Sequence, residues 1–302
     1  MKKRRHHHVW QYYLKSWATN DQIFCLREGR IFQTNTLNIA QDRDFYKIPK
    51  LTDDDIAWAR RLVTSKSNPL AKTLHEDFLA KILAPMNFLE RMKSYLTKDK
   101  ELDGEIDLYR TNVLEDFHAN IEAHFIPLLN RIRTHDINFY ESENDCITFL
   151  HFICVQIMRT KAVRERSLEL NRKNASAVDI SRIWNLLTYM LAVNVAGGLY
   201  LERKRRKLVL IKNNTEVNFV TSDQPATNLF GSGTKPPETL SIYYPISPNL
   251  ALILSEEEKE PLYSTETLTS EQVATLNDRI VAVSHSQIFG HSEASLRELK
   301  VK

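Results

Sequence analysis

The stretch from Ile183 to Leu201 carries no formal charge and is followed at once by Glu202-Arg203-Lys204-Arg205-Arg206-Lys207. A helix apolar on every face must be buried all round, in a protein core or in a bilayer. Asn185, Thr188, Asn194 and the pair Gly197-Gly198 favour the core. Amides and hydroxyls are expensive in hydrocarbon, whereas a core can supply them with partners. The basic flank would suit a membrane orientation but does not require one. The N-terminal Met1-Lys2-Lys3-Arg4-Arg5 has no long apolar run after it, so it does not read as a secretory signal. The expectation is a cytoplasmic protein without a membrane partner.

The rest of the chain must supply the walls of that core. Its 302 residues are 42% hydrophobic and 26% charged, enough apolar material for a packed interior without covalent staples. The three cysteines, Cys25, Cys146 and Cys154, form neither a disulfide framework nor a CxxC zinc pair. Net charge is only +3, but the basic residues cluster at Lys2–Arg5, Arg159–Arg166 and Arg203–Lys207. Such clusters permit nucleic-acid binding without demanding it, and solvated helix faces and ends are the favoured reading of any one of them alone.

Periodicity places the elements. Val9, Tyr13 and Trp17 share one face of a short helix over 9–18. Ile23–Leu26 and Ile31–Thr34 flank Glu28-Gly29 as a β-hairpin. Asn38–Ile48 reads as a loop with aromatic anchors. Thr52 before three aspartates, and Asn68 before Pro69, are helix starts. Pro85 is expected to break or kink the second of these, and Pro127 to kink a long helix over 105–133. A helix from about Ser142 to Leu170 and the uncharged helix from about Val178 follow. Beyond Lys207 the texture changes to strand-like runs at 208–211, 217–221, 241–245 and 250–254. A flexible loop at Gly231–Pro237 lies among them, and a last helix runs from Thr269 to about Val283. Segregated helices and strands indicate an α+β fold. The expected form is one domain over 1–302, a predominantly helical bundle with a small antiparallel sheet built from the N-terminal hairpin and the C-terminal strands. Its regions are 1–50, 51–206 and 207–302.

Three polar groups stand out. His6-His7-His8 abuts the aromatic helix; consecutive histidines cannot all face one ligand, so one or two would act. Asp223 ends a strand at Thr221-Ser222-Asp223-Gln224-Pro225, where it can either turn the chain or present a carboxylate to a cleft. Gln156 and Arg159 are one helical turn apart and can bind an anion together, with Arg164 and Arg166 nearby. The bland alternative is a buried Arg159 paired with a carboxylate, for which Glu122 is the natural partner.

The same residues carry a resemblance. His7-His8-Val9-Trp10-Gln11-Tyr12-Tyr13-Leu14, Asp44-Phe45-Tyr46, Gln156-x-x-Arg159, Phe219 to Pro225, Tyr244 to Pro248 and Asn277 occur in an order that resembles the bacterial domain of unknown function family 4238. The similarity covers nearly the whole chain. Trp10 stands where that family often has Pro, and Gln224 where it often has Asn. The resemblance implies a recurrent polar set but no settled activity.

Two functions fit that set. One is a metal-dependent hydrolase, most simply a nuclease serving as a toxin or phage-defence effector. His7, Arg159 and Asp223 would then be catalytic, His8, Asp44 and Glu122 would hold Mg2+ or Mn2+, and Gln156 and Arg164 would bind substrate. None of these residues stands at a diagnostic spacing: the chain has no HExxH, Walker loop or GxSxG elbow. The other is a non-catalytic adaptor or sensor of protein or nucleic acid, in which the polar residues are structural. Burying His7, Arg159 and Asp223 in apolar segments would be least costly if they met in one site.

Overall fold

The computed structural model describes residues 1–96, 99–174, 178–231, 239–256 and 268–299. The chain enters as a short strand, β1 (Arg5–His7), then α1 (Gln11–Leu14), which tightens into a 3-10 turn over Lys15–Trp17. Val9, Tyr13 and Trp17 are all fully buried, as their spacing predicts. The hairpin follows, β2 (Gln22–Arg27) and β3 (Arg30–Asn35), closed by Glu28 at φ 52° and Gly29 at φ 72°. Two positive φ values make the tight turn whose twist matches the strands; Gly29 adopts this cheaply and Glu28 at some cost. The expected loop over 38–48 contains β4 (Gln41–Arg43), which pairs with β1.

The helices begin where their capping residues dictate. Thr52 accepts from the Asp55 N–H at 3.2 Å while Asp55 accepts from the Thr52 N–H at 2.8 Å, and α2 (Asp53–Leu62) follows. Asn68 accepts from the Ala71 N–H at 2.8 Å ahead of α3 (Pro69–Tyr95). α3 passes through Pro85, and α4 (Lys100–Arg133) through Pro127, without a break. Each proline removes one backbone bond. Buried residues on both sides, Ile82, Leu83 and Met86 in α3 and Phe125, Leu128 and Leu129 in α4, hold the helix across the gap.

The expected helix to Leu170 is two helices, α5 (Glu143–Met158) and α6 (Lys161–Lys173), bent by 60° at Arg159-Thr160. Thr160 is extended there, at φ −76° and ψ 156°. Its hydroxyl bonds the Gln224 side chain and the Ile157 carbonyl, and such side-chain bonding competes with helix continuation. α7 (Trp184–Leu201) is the uncharged helix, starting later than expected because Asp179 and Ile180 bond into turns before it. It packs against α5 as a core helix. Its polar groups are satisfied: Asn185 donates to the Phe45 carbonyl at 3.0 Å and Asn194 accepts from Ser67 at 2.9 Å. Among the described residues, no single helix is long and apolar enough to cross a membrane.

The strands after Lys207 are β5 (Lys207–Lys212), β6 (Thr221–Ser222), β7 (Thr227–Asn228), β8 (Ile242–Ser247), β9 (Leu250–Ser255) and β10 (Ile288–Gly290). Between β9 and β10 lies α8 (Ser270–Val283), capped by Thr269, and after β10 comes α9 (Glu293–Arg297). The N-terminal hairpin does join C-terminal strands, in the antiparallel order β3-β2-β10-β6. The remaining strands form a second antiparallel sheet, β5-β9-β8-β7, and β1-β4 is a separate ribbon. Residues 217–220 are not a strand. Val220 donates instead to the Asn277 side chain at 3.0 Å and Phe219 to the Pro248 carbonyl at 2.9 Å. The loop expected at 231–237 lies outside the described residues from 232 onward.

α1 is the keystone between helices and sheets. Tyr13 Oη lies 2.7 Å from the Thr221 hydroxyl and donates to the Pro245 carbonyl at 2.8 Å. Trp17 Nε1 donates to the Phe219 carbonyl at 2.8 Å. Trp10 packs edge-on against Phe152, which stacks on Phe125 at 3.7 Å. Burying one such aromatic side chain contributes about 2–3 kcal/mol. The N-terminal segment is therefore part of the core.

Candidate active site

The three adjacent histidines have three different environments. His6 accepts from the Tyr46 N–H at Nδ1 (2.8 Å), and its Nε2 lies 2.9 Å from the Lys3 carbonyl; both ring nitrogens are used and the residue is structural. His8 is buried against Phe45 with Nδ1 unpartnered, and burial pushes its pKa down to about 3. His7 lies on the opposite face of β1 from His6. Its Nε2 has no partner, and burial lowers its pKa against the opposing pull of the Leu37 backbone.

His7 lines a cavity of about 340 Å3 between the N-terminal segment and α4, together with Trp10, Tyr12, Glu115, His118 and Glu122. The last three lie at helical spacings of three and four, so one face of α4 presents them all. His118 is 4% exposed, its Nδ1 is unpartnered and its ring contacts Tyr46 at 4.5 Å; burial holds it well below the usual histidine range. Burial and the neighbouring Glu122 carboxylate raise Glu115 to about 7, against the pull of Arg159. Glu122 is also raised by burial, but Arg159 opposes the shift directly by donating to Oε1 at 2.6 Å. Three larger cavities, of about 540, 550 and 800 Å3, are lined by no buried unpartnered polar atom among the described residues.

Arg159 sits behind the cavity, 2% exposed, and ends α5. It bonds Gln156 Oε1 at 2.9 Å as well as Glu122, and Gln156 Nε2 donates to the His8 carbonyl at 3.2 Å. The expected partnership of Arg159 with Glu122 is thus formed. Gln156 is a bridge from the N-terminal segment to that pair and is only 1% exposed.

Asp223 does not meet His7 or Arg159. Its carboxylate accepts from the backbone N–H groups of His285, Ser286 and Gln287 at 2.8, 2.8 and 3.0 Å, and from the Ser286 hydroxyl at 3.1 Å. Four donors from a neighbouring loop hold the buried carboxylate in place of an arginine and oppose the burial that raises its pKa. Asp223 fixes the entry to β10. The expected metal set does not assemble either. Asp44, at φ 56°, makes a surface turn and pairs with Arg4, while His8 packs against the Phe45 ring. Among the described residues, no group of three or more His, Cys, Asp or Glu is placed to hold a metal ion. Arg164 lies over the Phe45 ring at 5.3 Å instead of in the cavity.

The expectation from sequence omitted Glu115 and His118. Their signal is the pattern Glu115-x-x-His118-x-x-x-Glu122, a polar stripe on a helix whose neighbours Leu114 and Phe125 are core. The family anchors nevertheless join in one chain of bonds: His8 through Gln156 to Arg159 and Glu122, and His8 through Ala40 and Gln287 to Asp223.

An α+β protein with a helical majority and a polar cavity beside its first histidines is the class these features define. The chain belongs to the family described as Protein of unknown function (DUF4238), whose model matches residues 5–294. No curated protein and no solved structure matches it.

Proposed function

We propose that the protein is a hydrolase of glycosidic bonds, with Glu115 as general acid and Glu122 as the base that activates water. The observation that carries this reading is the sharing of one cavity by two carboxylates on one face of α4, two histidines with unpartnered ring nitrogens, and the rings of Trp10 and Tyr12. Cleavage of a glycosidic bond needs a protonated acid near the leaving group and an ionised carboxylate on the other side of the sugar. Environments that push two carboxyls apart supply that division of labour. Glu115, raised to about 7, keeps a proton near neutrality. Burial raises Glu122 as well, but it alone is hydrogen-bonded to a permanently charged guanidinium, which favours its ionised form and suits it to the role of base. Two helical turns, about 10 Å of rise, separate their backbones and leave room for a water, as an inverting enzyme requires.

The step balances as follows. Water oxygen bonds the anomeric carbon as the glycosidic bond breaks; Glu122 takes a proton from that water, and Glu115 gives one to the leaving atom. Neutral His7 and His118 hold sugar hydroxyls. Arg159 is a positioning residue that keeps Glu122 charged and aimed.

Hydrolysis of a panel of nucleosides, nucleotides and aryl glycosides tests this. Glu115→Gln should lower kcat by roughly 1000-fold, the usual worth of a general acid, and the wild-type rate should fall as pH rises above about 7, where Glu115 loses its proton. Turnover unaffected by Glu115→Gln, or no turnover of any panel member, would overturn the reading. The second reading, a binding protein without chemistry, is favoured by the structural bonds that Asp223 and Gln156 make within the fold. It predicts saturable binding to the cavity with no product at any pH.

A further inference from the structure

β1 carries a second feature that the cavity does not use. Residues two apart on a strand project to one face, and residues directly opposite in an antiparallel pair share it. Arg5 and His7 therefore share a face with their partners Arg43 and Gln41. His6, on the other face, is buried, which confirms the alternation. The ribbon borders an open cavity of about 540 Å3 lined by Arg4, Arg5, Gln41, Asp42 and Arg43.

Its charges do not cancel. Asp44 is taken by Arg4, and Asp42 by Lys161 at 3.0 Å. Arg43 is 71% exposed and only 3.9 Å from the already paired Asp44, and Arg5 makes no ion pair among the described residues. Arg5 is thus free and Arg43 is held only by a long contact to a carboxylate it shares with Arg4, both on one face, and guanidinium geometry matches phosphate. Arg5 lies two residues, roughly 7 Å of strand, from His7. A sugar–phosphate unit spans about this distance. An acidic cavity that stabilises a cationic sugar is joined by His7 to a basic ribbon that attracts an anion.

We propose that the substrate is a nucleotide, bound with its phosphate on Arg5 and Arg43 and its anomeric carbon in the His7–Glu115–His118–Glu122 cavity. This rests on the glycosidase reading for the bond that is cut. The bond is then the C–N bond between sugar and base: water adds to the sugar carbon, and the base leaves with the proton of Glu115. The flat rings of Trp10 and Tyr12 suit a heterocyclic leaving group better than a second sugar. The cavity is small for a chain of sugars, at the lower end of ligand-site volumes.

The test is binding, measured apart from turnover. Calorimetric titration of the full chain with ribose 5-phosphate and with ribose should give at least tenfold tighter binding of the phosphate. The preference should weaken with added salt, since exposed charges are screened. Arg5→Ala/Arg43→Ala should abolish the preference while leaving ribose binding unchanged, and Arg5→Lys/Arg43→Lys should restore part of it, with circular dichroism verifying the fold of each. Equal binding of the two ligands, or a preference that survives the double alanine variant, overturns the proposal. Phosphate-dependent binding without hydrolysis of any nucleotide would remove the glycosidase reading alone. Hydrolysis of nucleosides with no phosphate preference would remove this proposal alone.

Discussion

Arg159→Met isolates the buried pair on which the site depends. The methionine fills much of the same volume, so what is lost is charge and hydrogen bonding. Glu122, with its side chain 16% exposed, would then keep a carboxylate with no counter-charge, and Gln156 Oε1 would lose its donor. Breaking a buried ion pair from one side costs about 3–5 kcal/mol. Protonation limits that cost. In the variant, Glu122 keeps the upward push of burial and loses the downward pull of Arg159. A carboxyl whose folded pKa lies above its unfolded one binds protons on folding, so its contribution is present at low pH and lost as pH rises. The variant should therefore lose about 3 kcal/mol or more at pH 8 and clearly less at pH 5. Adding Glu122→Gln removes the stranded charge and should recover most of the loss at pH 8. Urea unfolding of the three proteins at pH 5, 6.5 and 8 provides the measurement, with midpoints compared at equal slope. A double variant as unstable as the single one, or a single-variant loss that does not depend on pH, would refute the coupling of Arg159 to Glu122.

Asp223→Asn removes the charge that accepts the three N–H bonds before β10 and should cost about 2 kcal/mol in urea unfolding, without changing the cavity's ligand binding. Tyr13→Phe strips the hydroxyl shared by Thr221 and Pro245 and should cost about 1–2 kcal/mol in the same assay. Acid stability should show two regimes. His8 at about 3, His151 at about 4 and His118 stay neutral in the fold below 6.5, where the unfolded chain protonates, so each withdraws up to about 1.4 kcal/mol per pH unit as pH falls. Glu115 works in the opposite sense between 4.5 and about 7 but offsets only one of these three histidines, so a pH series of unfolding midpoints should already decline as pH falls below about 6 and decline more steeply below 4.5. His151→Leu should flatten the steep part.

The legible parts of the fold were those set by local chemistry. Thr52, Asn68 and Thr269 cap helices because their side chains reach the N–H three residues on, a distance fixed by sequence. The charge-free run of α7 implied burial, and its asparagines found partners because a core helix must satisfy them. What could not be read was decided by distant residues. The bend at Arg159-Thr160 depends on Gln224, and the loss of strand at 217–220 depends on Asn277. In the site, the Arg159–Glu122 pair was readable because a buried arginine needs a carboxylate. Asp223 misled because a carboxylate can be satisfied equally by backbone N–H groups, which leave no mark in a sequence. Glu115 and His118 were written in the helical spacing of α4; they stand out only once Arg159 and His7 are known to pack against that face.

The bend between α5 and α6 ties these pieces into one device. Thr160 leaves the helical path and bonds Gln224, the residue after Asp223, so the end of α5 is anchored to the exit of β6. That anchor fixes where Arg159 points, and Arg159 fixes Glu122. The other end of the same strand segment is fixed by Tyr13 on Thr221, within the N-terminal segment that carries His7. The sheet therefore sets the position of both walls of the cavity, one through Thr160 and one through Tyr13, although it contributes no side chain to the cavity. This accounts for anchors spread from residue 7 to residue 277 around a site made from His7 and one face of α4. The distant ones hold the scaffold that brings the two walls together.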